Sequence, residues 1–197
     1  MMSAKPRIVL ASTSPYRAQL LRRLVEDFEQ IAPGVDESAI PEEACDARAA
    51  RLAEAKARAV AMGLDNAIVI GSDQVAEIDD RVLDKPGTPA NARSQLAVCS
   101  GRAVRFHTAL CVIDARSTDH RAHAIDLTRV VFRTLSGEEI ARYVKREQPL
   151  DCAGGFKAEG LGIALFEHIA SEDPTALIGL PLIALARLLR ECGLSLP

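Results

Sequence analysis

The sequence has no excess of positive charge. Its 24 lysine and arginine residues are outnumbered by 27 aspartates and glutamates, which gives a formal net charge of -3 at pH 7. A protein that holds nucleic acid usually carries a basic excess or a long basic stripe. The composition therefore argues against a nucleic-acid partner. It remains compatible with a small anionic ligand, which needs only a local cluster of cations.

Long apolar runs and paired cysteines are missing as well. No apolar run reaches the length of about 20 residues that crosses a bilayer, and no charged and then apolar leader with a cleavage site opens the chain. The five cysteines are scattered, odd in number and free of any C-x-x-C pair, a usage typical of a reducing compartment. We therefore expect a cytoplasmic protein with no membrane partner.

Three motifs that would identify an active site directly are also absent from the sequence. There is no P-loop of the form G-x-x-x-x-G-K-[ST], no H-E-x-x-H zinc motif and no G-x-S-x-G nucleophile elbow. The four histidines show no metal-ligand spacing, so we interpret them as structural or surface residues. A serine hydrolase is disfavoured for the same reasons.

The residues that are present suffice for one folded domain. The 197 residues are 48% hydrophobic and contain no internal repeat or low-complexity linker, so we predict a single α/β domain over residues 1–197. Apolar runs and alternation predict strands, while cap residues and helical spacing predict helices. The predicted strands cover residues 28–32, 67–71, 75–78, 81–83, 102–113, 123–132 and 162–169, and the predicted helices begin near residues 15, 43, 88, 136 and 181.

The stretch Ile8–Arg17 contains the first candidate site. An apolar run breaks into a hydroxyl-rich turn and then into a helix, with Ser14 as N-cap and Pro15 as the first helical residue. Unpaired N–H groups and the helix dipole at such a terminus favour an anion, and Arg17 adds a cation. The same residues describe an ordinary capped turn, which on this stretch alone is the favoured alternative.

A second candidate site follows the apolar run Ala67–Gly71. This pattern is typical of a strand buried on both faces. It places Ser72-Asp73-Gln74 at the carboxyl end of that strand, where open α/β sheets hold their ligands. A predicted hairpin over residues 75–83 then returns Lys85 towards Asp73. These two charges are either a cross-strand ion pair, or a metal ligand or base beside a cation that neutralises phosphate.

The remaining candidates are individually weak. Glu37 lies in an acidic loop, Lys56 lies within a predicted helix where most lysines are exposed, and the segment Asp151–Gly160 is rich in glycine. Glycines permit the close approach of a ligand but also occur in loops that bind nothing. Together with the two earlier candidates, these groups supply the cations and the metal-binding carboxylates that triphosphate chemistry needs.

Seven short segments carry these candidates along the chain. They are Ser12-x-Ser14-Pro15-x-Arg17, Val35-Asp36-Glu37, Lys56-Ala57, Gly71-Ser72-Asp73, Lys85-Pro86, Ser100-Gly101 and Ala153-Gly154-Gly155. In this order, over nearly the whole chain, they resemble the successive motifs of the Maf-like nucleotide pyrophosphatases. The resemblance implies an α/β fold with an elongated mixed β-sheet flanked by helices, related to the inosine triphosphate pyrophosphatases. It also implies a homodimer, an active site in a cleft, and hydrolysis of a nucleoside triphosphate to the monophosphate and pyrophosphate with Mg²⁺ or Mn²⁺.

The resemblance further implies a role for each candidate. Asp73 would activate water, as a base or through the metal, and Glu37 and Asp73 would hold that metal. The phosphates would be bound by four side chains, those of Ser12, Arg17, Lys56 and Lys85. A metal-bound water is acidic enough to lose a proton to a carboxylate near neutral pH, so the implied role of Asp73 is chemically sound.

The resemblance implies that the base is chosen at three positions, Tyr16, Gln74 and Glu159. This combination resembles the branch of the family that acts on 7-methyl-GTP, except that Tyr16 stands where that branch usually has Trp. A carboxylate accepts both N–H donors on the Watson–Crick edge of guanine, whereas uracil and thymine offer one such donor, and an aromatic face holds a cationic methylated base. The alternatives are the branch that acts on dTTP and UTP, and a nucleotide-binding regulator of cell division that needs no turnover.

Overall fold

The computed structural model describes residues 5–117 and 120–197, and this part of the chain forms seven strands and five α-helices. The strands are β1 (Arg7–Leu10), β2 (Glu29–Gln30), β3 (Ala67–Ile78), β4 (Arg81–Leu83), β5 (Ala103–Asp114), β6 (Arg121–Phe132) and β7 (Phe166–Ala170). The helices are α1 (Pro15–Leu21), α2 (Cys45–Ala61), α3 (Pro89–Cys99), α4 (Gly137–Glu147) and α5 (Leu182–Glu191). Thr118 and Asp119, in the predicted turn between the last two long strands, lie outside the described residues.

The strands form one mixed sheet in the order β2-β1-β3-β5-β6-β7, with β4 paired to β3. Strand β1 runs parallel to both β2 and β3, whereas β4 is antiparallel to β3 and β7 is antiparallel to β6. The predicted α/β fold with a mixed sheet is therefore confirmed. None of the helices that the structure describes combines the length and the apolar composition needed to cross a lipid bilayer.

The described residues divide into two compact units, each with its own packed interior. The first contains the described residues of 1–74, 108–126 and 173–197, and the second contains residues 75–107 and 127–172. In the first unit, apolar side chains of β1, α1, β3 and α5 pack into one cluster, which includes Leu10, Leu21, Ile70, Leu185 and Leu189. In the second unit, the rings of Phe106, Phe132, Phe156 and Phe166 pack edge to face, with centroids 4.9–5.5 Å apart.

Several local signals in the sequence produced the expected structure. Ser14 and Thr88 cap helices whose first residue is proline, and Ser136 forms a capping box with Glu139. The predicted hairpin is also confirmed, because β4 pairs antiparallel with the second half of β3 around Asp79-Asp80. Such side-chain caps and tight turns involve only neighbouring residues, which is why short patterns predict them well.

The prediction that a strand ends at Gly71 is wrong. Strand β3 runs without interruption to Ile78, so Ser72, Asp73 and Gln74 lie inside it rather than at its end. The apolar residues that follow the polar triplet continue the strand and pair with β4. Because side chains alternate along a strand, Ser72 and Gln74 point to one face of the sheet and Asp73 points to the other.

Three other boundaries differ from the prediction. The helical spacing of Leu20, Leu21, Leu24 and Val25 predicts a longer first helix, but α1 ends at Leu21, and Leu24 and Val25 pack against the core from the loop that follows. The predicted strand at residues 28–32 shortens to β2. Residues 161–165 form a 3-10 segment instead of a strand, because the Lys157 carbonyl accepts hydrogen bonds from two later amides and closes a tight turn. Strand β7 therefore begins only at Phe166.

Helix α2 rests directly on β3 at Gly71. A Cβ atom at this position would collide with the carbonyl oxygen of Ala53 and would lie 2.7 Å from the nitrogen and 2.9 Å from the Cβ of Ala57. Real Cβ atoms essentially never approach backbone this closely, so only glycine fits here. The contact fixes the distance between the strand that carries Asp73 and the helix that carries Lys56.

We predict that Gly71→Ala lowers the free energy of unfolding by about 1–3 kcal/mol, because an added methyl group in a backbone contact forces the helix away. Urea unfolding followed by circular dichroism measures this change. Gly63→Ala is the matched control, since a Cβ there would meet nothing within 4 Å, and it should leave the stability nearly unchanged. Equal stability of the two variants would contradict the role assigned to Gly71.

Candidate active site

A buried lysine joins two carboxylates in the first unit. Lys56 on α2 is 5% exposed, and its Nζ lies 2.6 Å from Oδ1 of Asp73 and 2.7 Å from Oε1 of Glu37. The alternative of an exposed surface lysine is therefore wrong. An ammonium group shared by two carboxylates in a buried place concentrates charge where an anion and a metal ion can both be recognised.

The loop that carries Glu37 is held by two arginines of α2. Arg48 donates a hydrogen bond to the Glu37 carbonyl oxygen at 3.3 Å, and Arg51 donates one to the Ser38 carbonyl oxygen at 3.2 Å. Within the loop, the Ser38 hydroxyl and amide both donate to Asp36, and these bonds lower the pKa of that carboxyl group. Sequence reasoning missed both arginines, although their spacing of three residues places them on one face of the helix.

The Ser12–Arg17 turn is both a capped turn and a cationic site. The Ser14 hydroxyl accepts the Arg17 amide at 3.4 Å, as a helix cap does. The Ser12 hydroxyl accepts a guanidinium N–H of Arg17 at 3.4 Å, and the Nε of Arg17 donates to the carbonyl oxygen of Gly179 at 2.8 Å. Both interpretations of this stretch therefore apply, but to different residues. Ser14 caps the helix, and Ser12 contacts the guanidinium group of Arg17.

Arg17 lies in the electrostatic field of the two carboxylates. Burial lowers the pKa of its guanidinium group, while Asp73 and Glu37 act in the opposite direction. Arginine stays protonated even with such a shift, so the site keeps this positive charge at physiological pH. The structure therefore brings Ser12, Arg17, Glu37, Lys56 and Asp73 together in one unit, as the sequence motifs predict.

The two carboxylates fit a magnesium-like ion that takes its other ligands from a substrate. Glu37 and Asp73 reach the same ammonium group, so both lie within reach of one shared cation. Mg²⁺ typically binds one or two carboxylates together with waters and substrate phosphates. In residues 5–117 and 120–197 no group of three or more histidine, cysteine, aspartate or glutamate side chains is suited to hold a metal ion.

The opposite face of β3 carries a second set of polar contacts. The Ser72 hydroxyl lies 2.8 Å from the Ala109 carbonyl oxygen and 3.0 Å from that of Gly179. The amide nitrogen of Gln74 lies 3.0 Å from the Thr108 hydroxyl and 3.0 Å from the Ala176 carbonyl oxygen. Ser72 and Thr108 are fully buried, and sequence reasoning assigned neither of them a role.

Lys85 and Glu159 belong to the second unit, and both are exposed there. The segment around Lys85 is held by α3, since Asn91 donates to the Pro86 carbonyl oxygen and Gln95 donates to that of Asp84. These two positioning residues had no recognisable signal in the sequence. The roles of Lys85 in phosphate binding and of Glu159 in base choice stay predictions.

The glycine-rich loop that carries Glu159 has two anchors within the second unit. The Phe156 ring lies in the cluster of four phenylalanines, and the Tyr143 hydroxyl accepts the Lys157 amide at 2.9 Å. Burial raises the pKa of Tyr143, so the hydroxyl stays neutral. Gly154 has a φ of 77° in the left-handed region, which explains the need for glycine at that turn.

Comparisons with known proteins cover nearly the whole chain. The family model described as Maf-like protein matches residues 7–192. A protein of Xanthomonas oryzae pv. oryzae named 7-methyl-GTP pyrophosphatase is 58% identical over 192 residues, which cover 98% of this chain and 100% of the relative. A protein of Aromatoleum aromaticum with the same name is 52% identical over 191 residues, which cover 97% of this chain and 98% of the relative.

The solved structures that match the chain are less similar to it than these relatives are. The Ham1 protein of Staphylococcus aureus aligns with a TM-score of 0.46 and 15% sequence identity, over 78% of this chain and 88% of that chain. This score is too low to establish a common fold. The relation to the inosine triphosphate pyrophosphatases therefore stays a prediction.

We predict that Lys56→Met lowers the free energy of unfolding by about 3–5 kcal/mol, because it leaves the carboxylate of Asp73 buried without its partner. The measurement is chemical unfolding at neutral pH. Arg58→Met on the same helix is the control: its ion pair with Glu54 is also short, at 2.7 Å, but the two side chains are 54% and 30% exposed, so its loss should cost less than about 1 kcal/mol. A small effect of Lys56→Met would show that water enters the site and screens Asp73.

Proposed function

The chain belongs to the Maf-like protein family, and on this basis we propose that it is an enzyme, a nucleoside triphosphate pyrophosphatase that hydrolyses 7-methyl-GTP to 7-methyl-GMP and pyrophosphate. Two relatives that match nearly its full length, at 52% and 58% identity, are named 7-methyl-GTP pyrophosphatase. The structural observation that carries the proposal is the buried ammonium of Lys56 between Asp73 and Glu37. Such a cluster suits a reaction whose substrate carries several phosphates.

Phosphate binding is assigned to Ser12, Arg17 and Lys56. Arg17 offers a planar guanidinium group that suits phosphate oxygens, and Lys56 offers a compact point charge. The Ser12 hydroxyl already accepts one N–H of Arg17 at 3.4 Å, and its own proton can be donated to a phosphate oxygen. Lys85 completes the set proposed from the sequence.

Asp73 is assigned the activation of the attacking water. Its carboxylate accepts the proton as the water oxygen forms a bond to phosphorus, and the phosphoanhydride bond that joins the nucleoside monophosphate to pyrophosphate breaks. Lys56, within hydrogen-bond distance of Asp73, is placed to stabilise negative charge that develops on the phosphates.

A divalent cation, Mg²⁺ or Mn²⁺, is part of the proposal, with Glu37 and Asp73 as its protein ligands. When bound, such an ion neutralises phosphate charge and makes a bound water more acidic. The four charged side chains of the site within the first unit, those of Arg17, Lys56, Glu37 and Asp73, sum to no net charge, and Lys85 adds one positive charge. Additional positive charge is therefore needed to balance a triphosphate.

Recognition of the base is assigned to Tyr16 and Glu159, with Gln74 as the third position that the sequence indicates. Tyr16 is half-buried next to Arg17 in the first unit, and its ring can stack on a methylated guanine that carries a positive charge. The exposed carboxylate of Glu159 can accept two N–H donors of guanine.

We also propose that the enzyme works in the cytoplasm as a homodimer. The free state of all five cysteines supports a reducing compartment. The dimer rests on the resemblance to the family, and size-exclusion chromatography with light scattering tests it directly.

We predict that Asp73→Asn lowers the rate of pyrophosphate release from 7-methyl-GTP at least about 100-fold while the circular dichroism spectrum is unchanged, because the amide cannot accept the proton of water. Asp65→Asn is the control, since Asp65 is exposed and lies two residues before β3, and it should be fully active. Tight nucleotide binding without product from the unmodified protein would instead favour a nucleotide-binding regulator.

The identity of the base is tested at Tyr16. We expect Tyr16→Leu to lower kcat/KM for 7-methyl-GTP about 3- to 30-fold more than for GTP, because only the methylated base carries the charge that a cation–π contact recognises. Tyr16→Trp should retain the preference. An equal loss for both substrates would remove Tyr16 from base recognition, and faster turnover of dTTP and UTP by the unmodified enzyme would assign it to the other branch.

A further inference from the structure

The side-chain amide of Gln74 is bound to the backbone that follows residue 175. Its nitrogen lies 3.0 Å from the carbonyl oxygen of Ala176 and 3.1 Å from that of Leu177. Carbonyl oxygens only accept hydrogen bonds, so the nitrogen and not the oxygen of the amide must face them. Thr108 lies 3.0 Å from the same nitrogen and 3.0 Å from the Ala176 carbonyl oxygen, and it thereby reinforces this contact.

The same backbone segment holds Arg17. The segment ends at Gly179, whose carbonyl oxygen accepts the Nε of Arg17 at 2.8 Å and the Ser72 hydroxyl at 3.0 Å. Gly179 has a φ of 119°, and a Cβ there would lie 3.5 Å from the Nε of Arg17. The position of the guanidinium group therefore depends on the conformation of residues 176–179, which we name the carbonyl segment.

The residues on both sides of the carbonyl segment are held by other hydrogen bonds. At one end, the Asp173 carboxylate accepts the Thr175 amide at 3.0 Å and the Ile183 amide at 2.6 Å. The Thr175 hydroxyl accepts the Leu182 amide at 2.8 Å, so the turn is tied to the first residues of α5. The side chain of Gln74 ties the first two residues of the segment, Ala176 and Leu177, to β3.

Gln74 and the carboxylate cluster lie on opposite faces of β3. Alternation directs Gln74 and Ser72 towards the carbonyl segment, and directs Asp73 towards Lys56 of α2. On this geometry we infer that Gln74 is a positioning residue, which holds the carbonyl segment and through it the phosphate-binding Arg17, and that Thr108 shares this role. The inference rests on the proposed function. It replaces the role in base recognition that the sequence indicates for Gln74.

A direct contact of Gln74 with the base makes a different prediction. Its amide oxygen has no described hydrogen bond within residues 5–117 and 120–197, and it could accept a donor from the ligand. Loss of such a contact would change the preference among bases and leave phosphate binding intact. Loss of a positioning residue would weaken phosphate binding equally for every base.

The test uses Gln74→Met, which keeps the length of the side chain and removes both N–H donors. Binding of inorganic tripolyphosphate, measured by calorimetry with Mg²⁺, should weaken about tenfold, the effect of losing roughly one hydrogen bond. The kcat/KM values for 7-methyl-GTP and GTP should fall by one common factor, so that their ratio stays constant. Gln19→Met, an exposed position on α1, is the matched control and should change neither quantity.

Thr108 keeps the inference testable if Gln74→Met fails to fold. Thr108→Val should weaken tripolyphosphate binding about threefold, because valine lacks the hydroxyl that contacts Gln74 and the Ala176 carbonyl oxygen. Thr108→Ser keeps that hydroxyl and should retain binding. Thr108 is fully buried, so it cannot contact the base directly. A changed ratio of 7-methyl-GTP to GTP with unchanged tripolyphosphate binding would overturn the inference. Since tripolyphosphate has no base and its binding needs no turnover, this result is independent of whether 7-methyl-GTP is the substrate.

Discussion

The contact between α2 and β3 at Gly71 is the constraint on which the candidate site depends. A helix normally packs on a sheet through side chains, which keep the two backbones well apart. Here the missing side chain lets the helix backbone touch the strand, and Lys56 thereby reaches Asp73 two residues further along. The 2.6 Å ion pair is thus a consequence of backbone packing. A larger side chain between α2 and β3 would move the helix away from the strand and lengthen this ion pair.

The cluster around Lys56 is also an electrostatic compromise. Removing the ammonium group of Lys56 and the carboxylate of Asp73 from water is unfavourable, and only their close contact offsets this cost, whereas the Glu37 side chain stays 57% exposed. Each group in the cluster therefore has a partner before any ligand arrives, and Arg17 is held by a backbone carbonyl. On the proposed assignment of these residues to phosphate binding, a triphosphate would meet charged groups that are already held in place, and preorganisation of this kind favours catalysis.

The parts of this structure that depend on neighbouring residues could be predicted from the sequence. Ser14, Thr88 and Ser136 act as caps, and the hairpin at Asp79-Asp80 closes where the pattern indicates. The motif order also identified the five residues that come together in the first unit. The resemblance supplied this information, because no short pattern encodes which distant side chains will meet.

The features that could not be predicted are long-range. The burial of Lys56 follows from the approach of α2 to β3, which a helical pattern does not contain. The continuation of β3 through Ser72-Asp73-Gln74 follows from its pairing with β4 and from the partners that those polar side chains find. The hydrogen bonds to the carbonyl segment could not be predicted from the sequence, because every residue type has a backbone carbonyl group.

The anchoring of the glycine-rich loop has a consequence for how the enzyme can diversify. Phe156 and Tyr143 fix the loop from within the second unit, while Glu159 at its exposed tip contributes nothing to the core. Lineages can therefore exchange the residue at this tip without loss of stability and without altering the buried charges of the first unit. If Glu159 chooses the base as proposed, such an exchange would change the preferred base while the residues assigned to hydrolysis stay the same.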